Sequence, residues 1–367
     1  MKFVLSAIIC VLLASCASKQ TEDQKFESLA KNYIEQLLQM KPELATALGD
    51  HRHDSRVSDY SAEGVQADRV FNNAYLDSLA NINVAALNPT NAIDLKIMRT
   101  NLQAAIFQLD TLREYEWNPL SYNPGNGIYG LLAREFAPIK DRLLSVKERL
   151  KAIPAILAAA KINLKNPPKV HTETAIRQNP GTIGLVKDEI SMHLEKAPEL
   201  KAELEPIQAE AVKALEEYGQ WLEKELLPNA NGDFRLGDEK YRRKLYFSLE
   251  ADLTKEQVLE AGMADLVNTQ AAMYETALPL FKQFFPTVKD ESKLTDKKAV
   301  IKAVLGRLGD SHPTNTTIVV LPRVQQLYVA EPDDSRGGSG TLSPACTLEQ
   351  VQGANDDPRN LRQRNFC

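Results

Sequence analysis

The chain has 367 residues, 43% of them hydrophobic and 25% charged, enough for one large domain or two ordinary ones with a sizeable core. The formal net charge is −5 and no basic face carries interleaved aromatic residues, so nucleic acid is excluded as an expected partner. Residues 17–345 contain no cysteine, which excludes a disulfide framework or a cysteine-zinc site there.

At the N-terminus Lys2 precedes an apolar run from Phe3 to Leu13, broken by Ser6 and too short to span a bilayer. This reads as a secretory signal. The run ends in Leu13-Ala14-Ser15-Cys16, which resembles a bacterial lipobox, with cleavage before Cys16 and acylation of its thiol. The alternative is an ordinary signal peptide that contains a cysteine. On the lipoprotein reading, residues 1–15 are the signal and 16–24 the lipidated cysteine and polar tether. Ala17 rather than Asp after the cysteine points to the outer membrane, facing the periplasm. The membrane partner is then reached through the lipid anchor.

From residue 25 the body reads as helices, a mainly α pattern. Phe26, Leu29, Tyr33, Leu37 and Met40 recur at helical spacing, and a second short helix is predicted from Pro42 to Leu48, before Gly49. The next stretch, GDHRHDSRVSD at 49–59, holds two histidines, two arginines and three aspartates. His51 and His53 are two apart, whereas a helical zinc pair such as H-E-x-x-H needs a wider interval, and no such pair occurs in the chain.

Ile93, Ile97, Leu102, Ile106, Leu109 and Leu112 predict a further apolar stripe, and Leu143, Val146, Leu150, Ile153 and Leu157 another. Pro154 is expected to kink or restart that helix. Leu200, Leu204, Ile207, Ala211, Leu215, Tyr218 and Leu222 form the cleanest stripe. Thr254 and Gln257 predict a capping box, and Val300 to Leu308 a last helix closed by Gly309. Two loops interrupt this array, around Trp117-Asn118-Pro119 with Tyr122 and at Asn229 to Gly237. Trp117 and Tyr122 either line a binding cleft or cap the core. Residues 318–367 have no helical or strand period and read as an unstructured tail.

Several segments together carry a resemblance. Pro42-Glu43-Leu44-Ala45-Thr46-Ala47-Leu48-Gly49-Asp50-His51-Arg52-His53-Asp54-Ser55 resembles the opening motif of the bacterial domain-of-unknown-function family 885. Arg134-Glu135-Phe136-Ala137-Pro138, Arg149-Leu150-Lys151-Ala152-Ile153-Pro154, Phe234-Arg235-Leu236-Gly237 and His312-Pro313-Thr314 follow in register. The resemblance implies the N-terminal half of an elongated multi-helix, metallopeptidase-like fold over residues 25–317. It implies zinc only for complete relatives, whose H-E-x-x-P-G-H helix this chain does not contain, so no cofactor is expected here and catalysis is left open. The expectation is a chain truncated by a frameshift near codon 317, or a genuine short paralogue with its own tail. The functional expectation is an inactive envelope lipoprotein related to gluzincin-type peptidases, or a non-catalytic lipoprotein that binds peptides or another protein. Cys16 is the lipidation site. His51, Arg52, Asp54, Trp117, Tyr122 and Arg134 are the candidate cleft residues, with the two arginines as carboxylate clamps or structural ion-pair partners.

Overall fold

The computed structural model describes residues 20–288, 294–310 and 312. The signal peptide, Cys16 and the 318–367 tail lie outside the described residues. Contacts divide the chain into two units, Met1–Glu260 and Ala261–Cys367. Among the described residues the regular structure is helical, and no helix is long and apolar enough to cross a membrane.

The first unit opens with α1 (Glu22–Met40), α2 (Pro42–Leu48), α3 (Ala62–Ala80) and α4 (Pro89–Phe107). Thr21 and Gln24 close a reciprocal capping box on α1. Ser61 and Asn88 accept backbone N–H groups at the starts of α3 and α4, where the first turn has no helical acceptor. These helices bury Phe26, Tyr75, Leu79, Leu95, Met98 and Leu102 together. The α4 stripe differs from the sequence expectation. Ile93 and Ile97 are 60% and 40% exposed, and the buried face is Leu95, Met98 and Leu102. Both sets have helical spacing, so periodicity alone does not choose between them; packing against Tyr75 and Leu79 does.

A larger core follows in α5 (Gly125–Ala133), α6 (Ile139–Asn163), α7 (Lys169–Gly184), α8 (Ile190–Leu194) and α9 (Lys201–Trp221). Leu143, Val146, Leu150 and Ile153 of α6 meet Leu204, Ala211 and Leu215 of α9, as both stripes predict. Pro154 neither breaks nor restarts α6, which runs through to Asn163. It sits on the solvent face, where water can satisfy the carbonyl that its missing N–H leaves free. The unit continues with α10 (Gly237–Leu249).

Helix α11 (Lys255–Phe284) starts at the expected capping box, with Gln257 N–H donating to Thr254 Oγ1 at 3.2 Å and Thr254 N–H to Gln257 Oε1 at 2.9 Å. In the second unit Ala277 and Phe281 of α11 pack on Val300 and Val304 of α12 (Lys297–Gly309). The expected α12 stripe is only half buried: Leu305 and Leu308 face outward at 54% and 49% exposure.

The α6–α9 seam runs through the larger of the first unit's two apolar clusters. Leu150→Ala is expected to destabilise the protein by about 2–5 kcal/mol, through lost transfer energy and a residual cavity. Urea unfolding checks this, and a change below 1 kcal/mol would show that the seam is not the core.

Candidate functional site

The GDHRHDS stretch is shaped by how α2 ends. Gly49 adopts φ +89°, its N–H donates to Thr46 O at 3.1 Å, and Asp50 N–H donates to Ala45 O at 2.9 Å. This left-handed stop favours glycine and ties up carbonyls of the last turn. Asp50 then caps a tight 3-10 turn at His51–His53, its Oδ1 accepting Arg52 N–H at 3.1 Å. The turn sends His51 inward and Arg52 outward.

His51 is fixed on two sides. Its Nδ1 lies 2.9 Å from Asp54 Oδ2, and its ring stacks on Phe136 with centroids 3.5 Å apart and planes within 5°. Asp54 is buried and accepts the Thr46 hydroxyl at 2.5 Å through Oδ1. Thr46 Oγ1 in turn accepts Arg149 Nη2 at 2.6 Å. Arg149, from the middle of α6, is only 1% exposed. It also donates to Arg56 O at 3.0 Å, Gly127 O at 2.5 Å and Pro42 O at 3.4 Å. Burial pulls its guanidinium pKa down, while the carboxylates of Glu43 and Asp54 oppose that shift. Glu43 is held by Ser58, whose N–H and hydroxyl both donate to it, at 3.1 and 2.6 Å. The result is a continuous line from Arg149 through Thr46 and Asp54 to an imidazole at the surface.

Arg134 stands beside this line, two residues before Phe136. Its Nη1 donates to Ala47 O at 3.1 Å, closing a carbonyl at the end of α2, and it makes no ion pair among the described residues. Arg134 is exposed, which leaves solvent access to its remaining N–H groups. Arg52 faces the other way. It forms a bidentate pair with Glu35, with contacts of 2.8 and 3.2 Å, and a second pair with Asp50 at 2.6 Å. The Arg52 side chain pulls the Asp50 pKa down to about 2.

Trp117 and Tyr122 are elsewhere. Trp117 Nε1 donates to Leu112 O at 2.8 Å. Tyr122 is 2% exposed, donates its hydroxyl to Tyr115 O at 2.5 Å and accepts Asn163 Nδ2 at 3.0 Å. Both polar ends are used in closing the 113–122 loop onto the core. The ring of Tyr60 lies 5.7 Å from that of Tyr122, and its hydroxyl pKa is pushed up by burial and by Glu43. In the other loop Phe234 is exposed, with the Arg235 guanidinium 4.8 Å above its ring.

Sequence reading did not single out Glu43, Thr46, Ser58 or Arg149. A signal for Arg149 was present: it falls between Val146 and Ile153 at helical spacing, on the apolar stripe of α6, and Arg142 repeats the position one heptad earlier. Arginine on such a stripe needs buried acceptors.

Chemically, an imidazole oriented by a buried carboxylate, with Nε2 left to the surface, can accept or donate one proton or hydrogen bond in a fixed direction. The zinc implied for complete relatives does not fit here. Among the described residues no group of three His, Cys, Asp or Glu side chains is placed to hold a metal ion, and a single imidazole held by a carboxylate is not a zinc site.

Arg149→Ala is expected to cost about 3–5 kcal/mol, because it strands buried Asp54 and several carbonyls, and Thr46→Val about 1–3 kcal/mol. Urea denaturation reads both; Thr46→Val as costly as Arg149→Ala would place the main anchor elsewhere. For the exposed Arg52–Asp50 pair, the ionised carboxylate favours the folded state at neutral pH, and that contribution fades as pH falls through about 2. Arg52→Ala should move the Asp50 titration up towards ~3.9, read by carboxyl carbon NMR.

The family model described as "Bacterial protein of unknown function (DUF885)" matches residues 42–315. A solved structure from Shewanella oneidensis, described as a "putative lipoprotein of unknown function", has the same fold with a TM-score of 0.64. It is 23% identical, and the likeness covers 90% of this chain and 67% of that one. Among curated proteins none matches. The family match takes in α2, the His51 turn, Phe136 and Arg149, and most of the chain besides: this protein belongs to the DUF885 family of bacterial proteins.

Proposed function

We propose that this protein is a lipid-anchored envelope protein whose helical body binds peptides at the His51–Arg134 surface and, by itself, hydrolyses nothing. The anchor is Cys16 at the end of the lipobox-like run, with the outer membrane facing the periplasm as its place. The description of the Shewanella protein as a lipoprotein supports this reading. A relationship to gluzincin-type zinc peptidases rests on the motif resemblance, and the absence of an H-E-x-x-H pair from the sequence supports binding without hydrolysis.

The observation that carries the binding reading is a fixed imidazole just after the end of α2, together with an exposed arginine that spends one donor on Ala47 O in the last turn of the same helix. A guanidinium takes a carboxylate by two parallel N–H···O bonds, and His51 Nε2 adds a third directional contact. A peptide with a free C-terminal carboxylate matches this set. Asp54 contributes by orienting His51. Arg52 does not take part, because Glu35 and Asp50 occupy its fork. Trp117 and Tyr122 support the scaffold.

Short peptides with free and amidated C-termini, titrated against the purified protein by calorimetry, test the reading. A charge-assisted contact worth about 1.5–3 kcal/mol predicts roughly 10- to 100-fold weaker binding for the amide and for Arg134→Gln with the free acid. Equal affinity for acid and amide would remove the carboxylate site. Peptide cleavage, or stoichiometric zinc in the purified protein, would overturn the non-hydrolytic part.

A further inference from the structure

The second unit carries an open groove of about 870 Å3 between α11 and α12 that the peptide site does not involve. Val267 and Ala271 form one wall; Ile301, Leu305 and Gly306 form the other. Val267 is 62% exposed and Leu305 54%. The small core of this unit, around Phe281 and Val304, does not take in Val267 or Leu305, and among the described residues nothing covers them. Every residue from Ala261 to Gln270 is exposed, so this stretch of α11 presents Met263, Leu266 and Val267 to solvent. An amphipathic helix of this kind is normally held by packing its apolar face, not by propensity.

The groove has the shape of a missing helix. Ala271 and Gly306 are small, and a Cβ built on Gly306 meets nothing within 4 Å, so a third backbone can approach to ordinary helix-packing distance. The lining on α12 runs from Lys297 to Gly306, roughly 14 Å at 1.5 Å per residue.

The rim has one sign of charge. Lys297, Lys298 and Lys302 line it, all exposed, and none makes an ion pair among the described residues. Lys298 and Lys302 are four apart on one face of α12, a like-charge arrangement that opposes the helix unless a partner supplies carboxylates. Lys297 sits 5.4 Å from the centre of the Tyr274 ring, which keeps its ammonium at the groove edge.

We propose that this groove receives an amphipathic α-helix of a partner protein, about three turns long, with an apolar face and carboxylates along one flank. Apolar contacts with Val267, Ile301 and Leu305 supply the burial, and the lysine rim sets the orientation.

The test uses the full chain and a fluorescein-labelled 14-residue designed helix with leucines on one face and glutamates on one flank. A control peptide carries lysines in place of the glutamates. Anisotropy should show binding of the acidic peptide and at least tenfold weaker binding of the control. Leu305→Glu, at an exposed position and checked for folding by circular dichroism, should abolish binding. Lys298→Glu with Lys302→Glu should reverse the preference between peptides. Equal binding of both peptides, binding of neither, or indifference to Leu305→Glu would overturn the proposal. Two further outcomes would do the same. One is Leu305-dependent sedimentation with phosphatidylglycerol vesicles that the acidic peptide does not compete away, which would make the groove a membrane surface. The other is a concentration-dependent dimer that Leu305→Glu dissolves, which would assign the groove to a second copy.

Discussion

The guanidinium of Arg149 is the contact on which the architecture of the first unit turns. It reaches from the middle of α6 to Pro42 and Thr46 in α2, to Arg56 after the histidine turn, and to Gly127 in α5. A cation this deeply buried is tolerated only when its donors are met and counter-charge is near. Glu43 and Asp54 supply the charge; carbonyls and a hydroxyl supply the acceptors. One side chain thereby fixes where α2 lies and how the chain leaves it.

Arginine recurs in this role around the same helices. Arg142 donates to Leu131 O and Leu132 O at 3.1 and 2.8 Å, in the last turn of α5, and to Ala137 O at 2.9 Å. Arg134 does the same for Ala47 at the end of α2. The last carbonyls of a helix lack an internal partner and carry its negative pole, so a planar cation with several donors suits them. Helix ends that would otherwise need solvent are turned inward against α6. The pair Arg142 and Arg149, seven residues apart, lets α6 bury polar ends of its neighbours alongside its apolar stripe.

The proposed function grows from that scaffold. The groups that hold α2 against α6 also hold Asp54, and Asp54 holds His51. The imidazole is stiff because its support is structural: the Phe136 ring on one face and a buried carboxylate on Nδ1. Loss of Arg149 would therefore loosen fold and surface together, whereas loss of the exposed Arg134 side chain gives up one hydrogen bond, to Ala47 O. The second unit follows another logic. Among the described residues, α11 and α12 share a small core and leave a lysine-rimmed apolar face open, the form expected of an element completed by association.

Helix positions were legible in the residues because their signals are local. Pro42 and Gly49 bracket α2, Thr254 and Gln257 start α11, and the 200–222 stripe meets the core along its length. Periodicity reports that a helix has an apolar face, yet where two phases are apolar it does not say which is covered. Packing against Tyr75 and Leu79 chose Leu95 and Met98 over Ile93 and Ile97 in α4. The dense polar motif was visible at once, but its meaning depended on Arg149, which lies about a hundred residues away and looks like any helical arginine except for its phase. For Tyr122 the loop sequence allowed either a cleft or a cap on the core; its ring is buried, and Asn163 and the Tyr115 carbonyl converge on its hydroxyl. Local hydrogen bonding and side-chain period are written into neighbouring residues; the choice of buried face and the partners of a buried charge arise only when distant segments meet.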